Sequence, residues 1–173
     1  DHSFCFSVRP VFIPTSHPLA GVSNEFNAAY IVGNYVGESM LLGKGAGGSP
    51  TASAVVSDIM DICFDYSHAV TRRNLELQKE PSLIEPQNKI KSKFYWRLHV
   101  EDKAGVLEKI TLTFATLTVS LDHIRQKPLI SNQAELVIIT KKISQKTAAS
   151  LKKELLNLTE VINVINRIQV ASF

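Results

Sequence analysis

The sequence predicts an α+β fold in two parts, and three observations lead to this prediction. Residues 1–73 contain segments in which apolar and polar residues alternate, as in strands, and one long segment with apolar residues at amphipathic-helix spacing. Residues 93–173 follow the order strand, helix, strand, strand, helix, strand. Between them, residues 74–92 contain prolines, glutamines and lysines without any period, which is typical of a linker. We therefore expect a first domain over residues 1–73 and a second over residues 93–173.

The first part is predicted to contain three strands followed by a long helix. Apolar alternation marks the strands, which are residues 6–13, 27–32 and 35–42. The last two are joined at Gly33-Asn34, a dipeptide typical of the mirror-image turns of tight hairpins. Ser49 is the predicted N-cap of the helix and Pro50 its first residue. Apolar residues then recur every three or four positions, and the pattern fades near Arg72-Arg73.

The second part has clearer periodicity. Alternation predicts strands over residues 94–100, 119–124, 136–140 and 161–170. Helical spacing predicts helices over residues 106–117 and 144–156, the second opened by Ser144. The resulting βαββαβ order is that of the ferredoxin-like split arrangement.

Residues 43–47, read as GKGAG, form a glycine-rich turn that leads directly into the long helix. Glycine lets backbone approach a ligand where a side chain would block it. A helix start carries exposed N–H groups and partial positive charge, which suit a phosphate or carboxylate. The residues alone equally allow a tight turn that packs against the helix, and both readings stay open at this point.

The run GAG-x-x-PTASAVVSDI-x-DI closely resembles the end of the catalytic domain of homoserine dehydrogenase, and HPLAGVSNEFNA, residues 17–28, resembles the stretch before that turn. The resemblance implies a remnant of that mixed-sheet catalytic domain. It implies that Gly45, Ala46 and Gly47 approach the nicotinamide end of NAD or NADP. The family's catalytic lysine and acidic substrate-binding residues lie upstream of these motifs, so we expect no catalytic residue in this chain.

The start of the chain predicts a longer parent polypeptide. Residue 1 is not Met, and strand-like alternation begins at once. The G-x-G-x-x-G turn of a nucleotide-binding Rossmann half is absent from the 173 residues. We therefore expect this chain alone to be inactive, because hydride transfer needs the cofactor held against the substrate.

The segment RLHVEDKAGVLEKIT, residues 97–111, closely resembles the start of an ACT domain, a small regulatory module that commonly binds amino acids. The resemblance spans about residues 93–171. One position departs from the family pattern, since Thr118 stands where Gly or Asn is common before the second strand. A β-branched residue at positive φ is strained, so we expect a different turn geometry there.

The ACT resemblance suggests an effector site at the start of the first helix of this part. Backbone N–H groups of Gly105, Val106 and Leu107 are expected to receive the carboxylate of an amino acid such as threonine. Asp102 is expected to pair with its ammonium group, and Ser120 of a partner subunit to close the site. The alternative is that Asp102 simply caps its own helix.

Composition favours a folded protein and argues against several partners. The hydrophobic share of 45% suffices for a packed core, and the net charge of +3 is spread along the chain. The densest basic runs, residues 89–93 and 141–142, are too short to predict nucleic-acid binding. No apolar run reaches the ~18 residues of a membrane helix, and no signal peptide opens the chain. We expect a cytoplasmic protein without membrane contact.

Histidine and cysteine spacing predicts no metal site. The five histidines lack the four-residue pairing of a helical zinc site, and they are His2, His17, His68, His99 and His123. Cys5 and Cys63 have no paired spacing, and Cys63 falls on the apolar helix face, where we expect a buried thiol. Asp58, Asp61 and Asp65 recur at helical spacing and are expected to share a solvated face.

Two functional hypotheses remain open on the sequence. The first is the C-terminal part of a homoserine dehydrogenase, whose intact form reduces L-aspartate 4-semialdehyde to L-homoserine with NAD(P)H under amino-acid feedback. The second is a non-enzymatic amino-acid sensor with a dimerisation platform. Both imply a homo-oligomer, most simply a dimer, because open sheet edges and unpartnered apolar faces tend to pair with another chain.

Overall fold

The computed structural model describes residues 3–4, 6–67, 83–84 and 91–171. The chain divides into two compact units, residues 14–81 and residues 1–13 together with 82–173. We call the first the hairpin–helix unit and the second the sheet unit. Of the predicted linker over residues 74–92, the structure describes only residues 83–84 and 91–92. The predicted helix end at Arg72-Arg73 also lies outside the described residues. The predicted domain boundaries therefore stay a prediction.

Two short strands precede the hairpin–helix unit, β1 (Ser3–Phe4) and β2 (Val11–Phe12), and both belong to the sheet unit. The hairpin–helix unit itself has a short 3-10 helix followed by three longer elements. These are the 3-10 helix Pro18–Gly21, β3 (Phe26–Gly33), β4 (Gly37–Lys44) and α1 (Gly48–Ser67). β3 and β4 form an antiparallel two-stranded ladder that runs from Phe26↔Lys44 to Gly33↔Gly37.

The hairpin–helix unit has no core of its own among the described residues. None of residues 14–66 is buried, although α1 is rich in apolar side chains. Val55, Ile59 and Ile62 each expose more than half of their surface, at 52%, 54% and 67%. Cys63 is also exposed, so the prediction of a buried thiol is wrong for this chain. The helix has an apolar face, as its periodicity predicts, but no described residue covers it.

The sheet unit contains most of the regular structure. In chain order its further elements are β5 (Leu83–Ile84), β6 (Lys91–Glu101), α2 (Val106–Thr116), β7 (Leu121–Pro128), β8 (Gln133–Thr140), β9 (Ile143–Ser144), α3 (Gln145–Asn157) and β10 (Val161–Val170). The main sheet has the order β2-β10-β6-β8-β7, and β9 pairs with the start of β6. β2 is parallel to β10 and the other main-sheet pairs are antiparallel, so the sheet is mixed. This confirms the predicted α+β class and βαββαβ order.

One face of the sheet is buried against both long helices of the unit. Alternate residues of β6 and β8 are buried, as period-two strands require. Three residues on each helix meet them, namely Val106, Ile110 and Phe114 of α2 and Ala148, Leu151 and Leu155 of α3. Trp96 is fully buried and packs edge-on against Phe114, with ring centroids 6.3 Å apart. The apolar residues whose periodicity predicted these strands and helices therefore form the core of this half.

Several local predictions are confirmed and others are wrong. Ser144 is the N-cap of α3, since its Oγ accepts a hydrogen bond from the Thr147 N–H at 3.0 Å. Ser49 does not cap α1, because the helix begins at Gly48 and Thr51 N–H already donates to the Gly47 carbonyl at 3.2 Å. The hairpin turn is not at Gly33-Asn34 either. The residue with positive φ is Gly37, at 75°, after a loop over residues 34–36.

Two further differences have clear physical causes. The predicted strand over residues 6–13 is reduced to β2, and Pro10 directly before it has no N–H to donate to a ladder. Thr118 does adopt positive φ, at 56°, so the expectation of a different turn geometry is wrong. Val119 N–H donates to the Phe114 carbonyl and Thr118 N–H to the Ala115 carbonyl, both at 2.9 Å. These two bonds form the Schellman motif that ends α2.

Candidate functional site

The glycine-rich turn connects β4 to α1, and its backbone is accessible. All residues from 43 to 49 are exposed. Gly45 N–H donates to the Glu25 carbonyl at 2.8 Å, which holds the start of the turn against the residue before β3. A Cβ on Gly45 would overlap the side-chain amide of Asn27. A side chain at this position would therefore require the exposed Asn27 side chain to rotate away.

Gly47 is required for a different reason. Its φ of 123° lies in a region that L side chains rarely adopt, and a Cβ would lie 3.3 Å from Cδ of Pro50. The Gly47 carbonyl accepts hydrogen bonds from the N–H and the hydroxyl of Thr51, at 3.2 and 2.8 Å. Gly47 thus sets the entry of the chain into α1. By contrast, a Cβ on Gly48 would meet nothing within 4 Å.

Charged and aromatic side chains flank the turn. Lys44 Nζ lies 3.3 Å from Glu25 Oε1 and 5.8 Å from the centre of the Phe26 ring. Within the adjacent ladder, a hydrogen bond from Tyr30 to Glu38 raises the pKa of the Tyr30 hydroxyl. These contacts fix the hairpin from which the turn projects. The exposed residues of the turn and the start of α1 together form a surface of partial positive charge, which suits a ligand with negative charge.

The predicted effector residues lie at a small cavity in the sheet unit. The cavity has a volume of about 160 Å³, below the ~300 Å³ of most drug-binding pockets, so it suits only a small ligand. Gly105, Val106 and Leu107 line it, together with Glu101 and Lys103. No side chain caps α2, and Gly105 before it has φ of 85°. The predicted helix N-terminus is therefore next to a cavity.

Asp102 lies beside this cavity but is not among its lining residues. Its Oδ1 accepts a hydrogen bond from Gln126 Nε2 at 3.2 Å, and its N–H donates to the Asn132 carbonyl at 2.9 Å. Asp102 does not cap α2, so the alternative of a simple helix cap is wrong. Glu101 and Lys103, whose side chains pair at 2.9 Å, also line the cavity, and no local sequence pattern predicts this.

Ser120 lies far from Asp102 within one chain. Ser120 precedes β7 at the end of the sheet where Leu121 pairs with Thr140. Asp102 lies at the opposite end, where Glu101 pairs with Gln133. The eight residues of β7 separate the two ends by about 25 Å. Any joint role for the two residues requires Ser120 of a second chain.

The other candidate residues have ordinary surroundings. His17 Nδ1 accepts the Leu19 N–H at 3.2 Å and caps the 3-10 helix, a structural role. His99 lies 3.8 Å from Glu135, which also pairs with Arg97 at 2.5 Å. Asp58 and Asp61 are exposed on α1. Among the described residues, no group of three His, Cys, Asp or Glu side chains could hold a metal ion.

The helices of the described part of the chain are too short or too polar to span a membrane.

Comparison with known proteins identifies the family. The family model "Homoserine dehydrogenase" matches residues 3–60. The homoserine dehydrogenase of Bacillus subtilis is 37% identical over 161 residues, which are 91% of this chain and 37% of that protein. The homoserine dehydrogenase of Helicobacter pylori is 34% identical over 172 residues, which are 98% of this chain and 40% of that protein.

A solved structure extends the likeness to the fold. The crystal structure of a homoserine dehydrogenase from Thiobacillus denitrificans superposes with a TM-score of 0.84 at 27% identity, covering 99% of this chain and 40% of that chain. The chain thus spans about two fifths of the length of these relatives. Both the glycine turn and the βαββαβ sheet lie within the matched region. The chain therefore corresponds to the C-terminal region of the homoserine dehydrogenases, and its sheet unit has the βαββαβ order.

Proposed function

We propose that the protein to which this chain belongs reduces L-aspartate 4-semialdehyde to L-homoserine with NAD(P)H. The observation that carries the proposal is the match to homoserine dehydrogenases over both units of the chain, at 34% identity across 172 residues. The glycine turn at residues 43–47 supports it, because its backbone is exposed at the start of a long helix.

Within that enzyme, the turn would lie against the nicotinamide end of the cofactor. Gly45, Ala46 and Gly47 fit this role in one respect, since the turn presents backbone without bulky side chains to solvent. The cofactor would supply the hydride. This chain's residues would position it, with the Gly45 N–H bond to the Glu25 carbonyl and the Thr51 bonds to the Gly47 carbonyl keeping the turn in one shape.

The hairpin–helix unit would contribute a surface that another chain segment covers. No described residue from 14 to 66 is buried, and α1 exposes Val55, Ile59 and Ile62. An exposed apolar surface of this kind is typical of an interface. We place a second copy of the protein on it, which makes the enzyme a homo-oligomer and most simply a dimer.

The sheet unit would bind a small amino acid such as threonine and regulate turnover. The cavity at residues 105–107 offers helix N-terminal amides for a carboxylate. Asp102 beside it and Glu101 on its wall are acids for the ammonium group. The partner's sheet unit would bring its Ser120 to the open side of the cavity.

The test is an assay of the product of the complete coding sequence. Homoserine-dependent reduction of NADP or NAD is expected for that product, and none for residues 1–173 alone, because the family resemblance implies that the catalytic lysine lies upstream of these motifs. Absence of this activity in the complete product, with saturable binding of an amino acid retained, would replace the proposal with the non-enzymatic sensor.

A further inference from the structure

The cavity at the start of α2, which we call the effector cavity, has an apolar side that faces the core. Four aliphatic residues line this side, which we call the apolar floor: Val100 of β6, Val106 and Ile110 of α2, and Leu136 of β8. Each of them is at most 5% exposed. All four belong to the hydrophobic core of the sheet unit, so the floor is continuous with that core.

The charged and amide side chains of the effector cavity lie at its outer rim. Lys103 and Glu101 pair with one another at 2.9 Å, and their side chains are 59% and 38% exposed. Gln126 is exposed as well, and its Nε2 donates to Asp102 Oδ1 at 3.2 Å. A ligand with a charged end and an apolar end would therefore place its charges at the rim and its apolar group against the floor.

The apolar floor offers no side-chain partner to a hydroxyl group. Its four side chains contain only carbon and hydrogen, and the backbone of Val100 and Leu136 belongs to the ladder between β6 and β8. A hydroxyl group placed there would give up its hydrogen bonds to water without replacing them. A methyl group of the same size would instead gain from the burial of its apolar surface.

We propose that the effector cavity selects amino acids with a small branched aliphatic side chain, so that valine binds more tightly than threonine, its isostere. This inference rests on the effector role proposed above and names the ligand class of that site. The volume of about 160 Å³ restricts the ligand to a small molecule. An apolar pocket discriminates only moderately against an isostere that carries a hydroxyl group, so threonine is a ligand too, with about tenfold to hundredfold weaker binding.

Titration calorimetry of the product of the complete coding sequence tests the proposal, with valine and threonine as the two probes. The Kd for valine is expected to be about tenfold to hundredfold below the Kd for threonine. Val106→Thr adds a hydroxyl group to the floor and keeps the shape of the side chain, so it should reduce the ratio of the two Kd values severalfold. Val164→Thr is the matched control, because Val164 is 8% exposed against 5% for Val106 and does not line the cavity. This control should keep the wild-type ratio.

The outcomes separate this inference from the proposed function on which it rests. Threonine that binds the wild-type protein as tightly as valine, or more tightly, would overturn the inference and leave the effector role standing. Absence of binding by both amino acids would overturn the effector role and the inference together. Dehydrogenase activity of the same preparation reports separately on the proposed enzymatic reaction.

Circular dichroism checks that both variants are folded, because each substitution buries a hydroxyl group. An unchanged ratio of the two Kd values in folded Val106→Thr would overturn the role of the floor. If Val106→Thr does not fold, the comparison of valine with threonine on the wild-type protein decides the proposal alone.

Discussion

The side-chain amide of Asn27 occupies the space in which a Cβ on Gly45 would lie. Asn27 belongs to β3 and pairs with Gly43, so the ladder itself directs this contact. A methyl group at position 45 would therefore force the exposed Asn27 side chain to move, whether or not a ligand is bound. This distinguishes Gly45 from Gly43 and Gly48, which have open space around them.

Gly45→Ala should open the turn, because the new methyl group displaces Asn27. We expect faster hydrogen exchange of the residue 45 amide, which donates to the Glu25 carbonyl. The double variant Gly45→Ala with Asn27→Ala should recover much of the wild-type protection, since it removes the overlap. If the double variant exchanges as fast as Gly45→Ala alone, Asn27 is not the obstacle.

Gly47→Ala should be costly in the complete enzyme, whereas Gly48→Ala should be tolerated. The φ of 123° at Gly47 disfavours any side chain by about 1–3 kcal/mol. Gly48 begins α1 and has no neighbour within 4 Å of a new Cβ. We expect Gly47→Ala to raise the KM for the nicotinamide cofactor, as the turn changes shape.

Steady-state kinetics with varied cofactor and fixed homoserine separate these outcomes. Gly48→Ala places an extra methyl group in the same turn without backbone strain, so it reports on ligand proximity alone. Unchanged kinetics in Gly47→Ala would contradict the proposed cofactor contact and leave only the local packing role.

Periodic elements could be predicted from the sequence because each depends on near neighbours in the chain. β10 over residues 161–170 and the Ser144 cap of α3 are confirmed as predicted. The hairpin turn was misplaced, since Gly33 and Gly37 both fit a turn and only the ladder register decides between them. The exposure of Cys63 was missed because periodicity identifies an apolar face and does not reveal what covers it.

The sites depended on contacts between distant residues, which the sequence does not display. Gln126 donates a hydrogen bond to Asp102, which lies 24 positions earlier in the chain. Glu101 and Lys103 line the effector cavity because the chain folds around it between β6 and α2. Arg9 and Arg167 line the same cavity, which is separate from the effector cavity, because β2 pairs with β10. Gly105, Val106 and Leu107 were identified because an N-terminal helix signal is local.

Asp102→Asn should weaken binding of the effector amino acid to the complete enzyme. The substitution removes the negative charge and keeps an oxygen acceptor for Gln126. Loss of a charge-assisted bond predicts roughly tenfold to hundredfold weaker inhibition by threonine. Uninhibited turnover should be unchanged. Inhibition that survives in Asp102→Asn and is lost in Glu101→Gln would move the ammonium site to Glu101, which lines the cavity.

Acid should destabilise the sheet unit partly through Glu160. The hydrogen bond from Lys109 holds the pKa of Glu160 below its usual 4.5, and the same bond raises the pKa of Lys109 above 10.5. The contribution of the Glu160 carboxylate is present above pH 4.5 and is lost as the pH falls through its lowered pKa. Glu160→Gln should therefore reduce the fall in urea midpoint below pH 4.5. Glu154→Gln, at an exposed position of α3, should follow the wild-type profile.

Thr118→Gly should stabilise the sheet unit. Thr118 occupies the left-handed position of the Schellman motif with φ of 56°, and its side chain is exposed. Relief of the left-handed penalty, about 1–2 kcal/mol, is partly offset by the greater backbone entropy of glycine in the unfolded chain, so we expect a gain of about 1 kcal/mol in urea unfolding. Thr116→Gly is the matched control, because the same change at the last residue of α2 should be destabilising by about 0.3–0.5 kcal/mol. A Thr118→Gly chain less stable than wild type would mean that the threonine side chain stabilises the fold by more than its backbone strain destabilises it. Hydrogen exchange at residues 118 and 119 would then show whether their bonds to the Ala115 and Phe114 carbonyls persist in the variant.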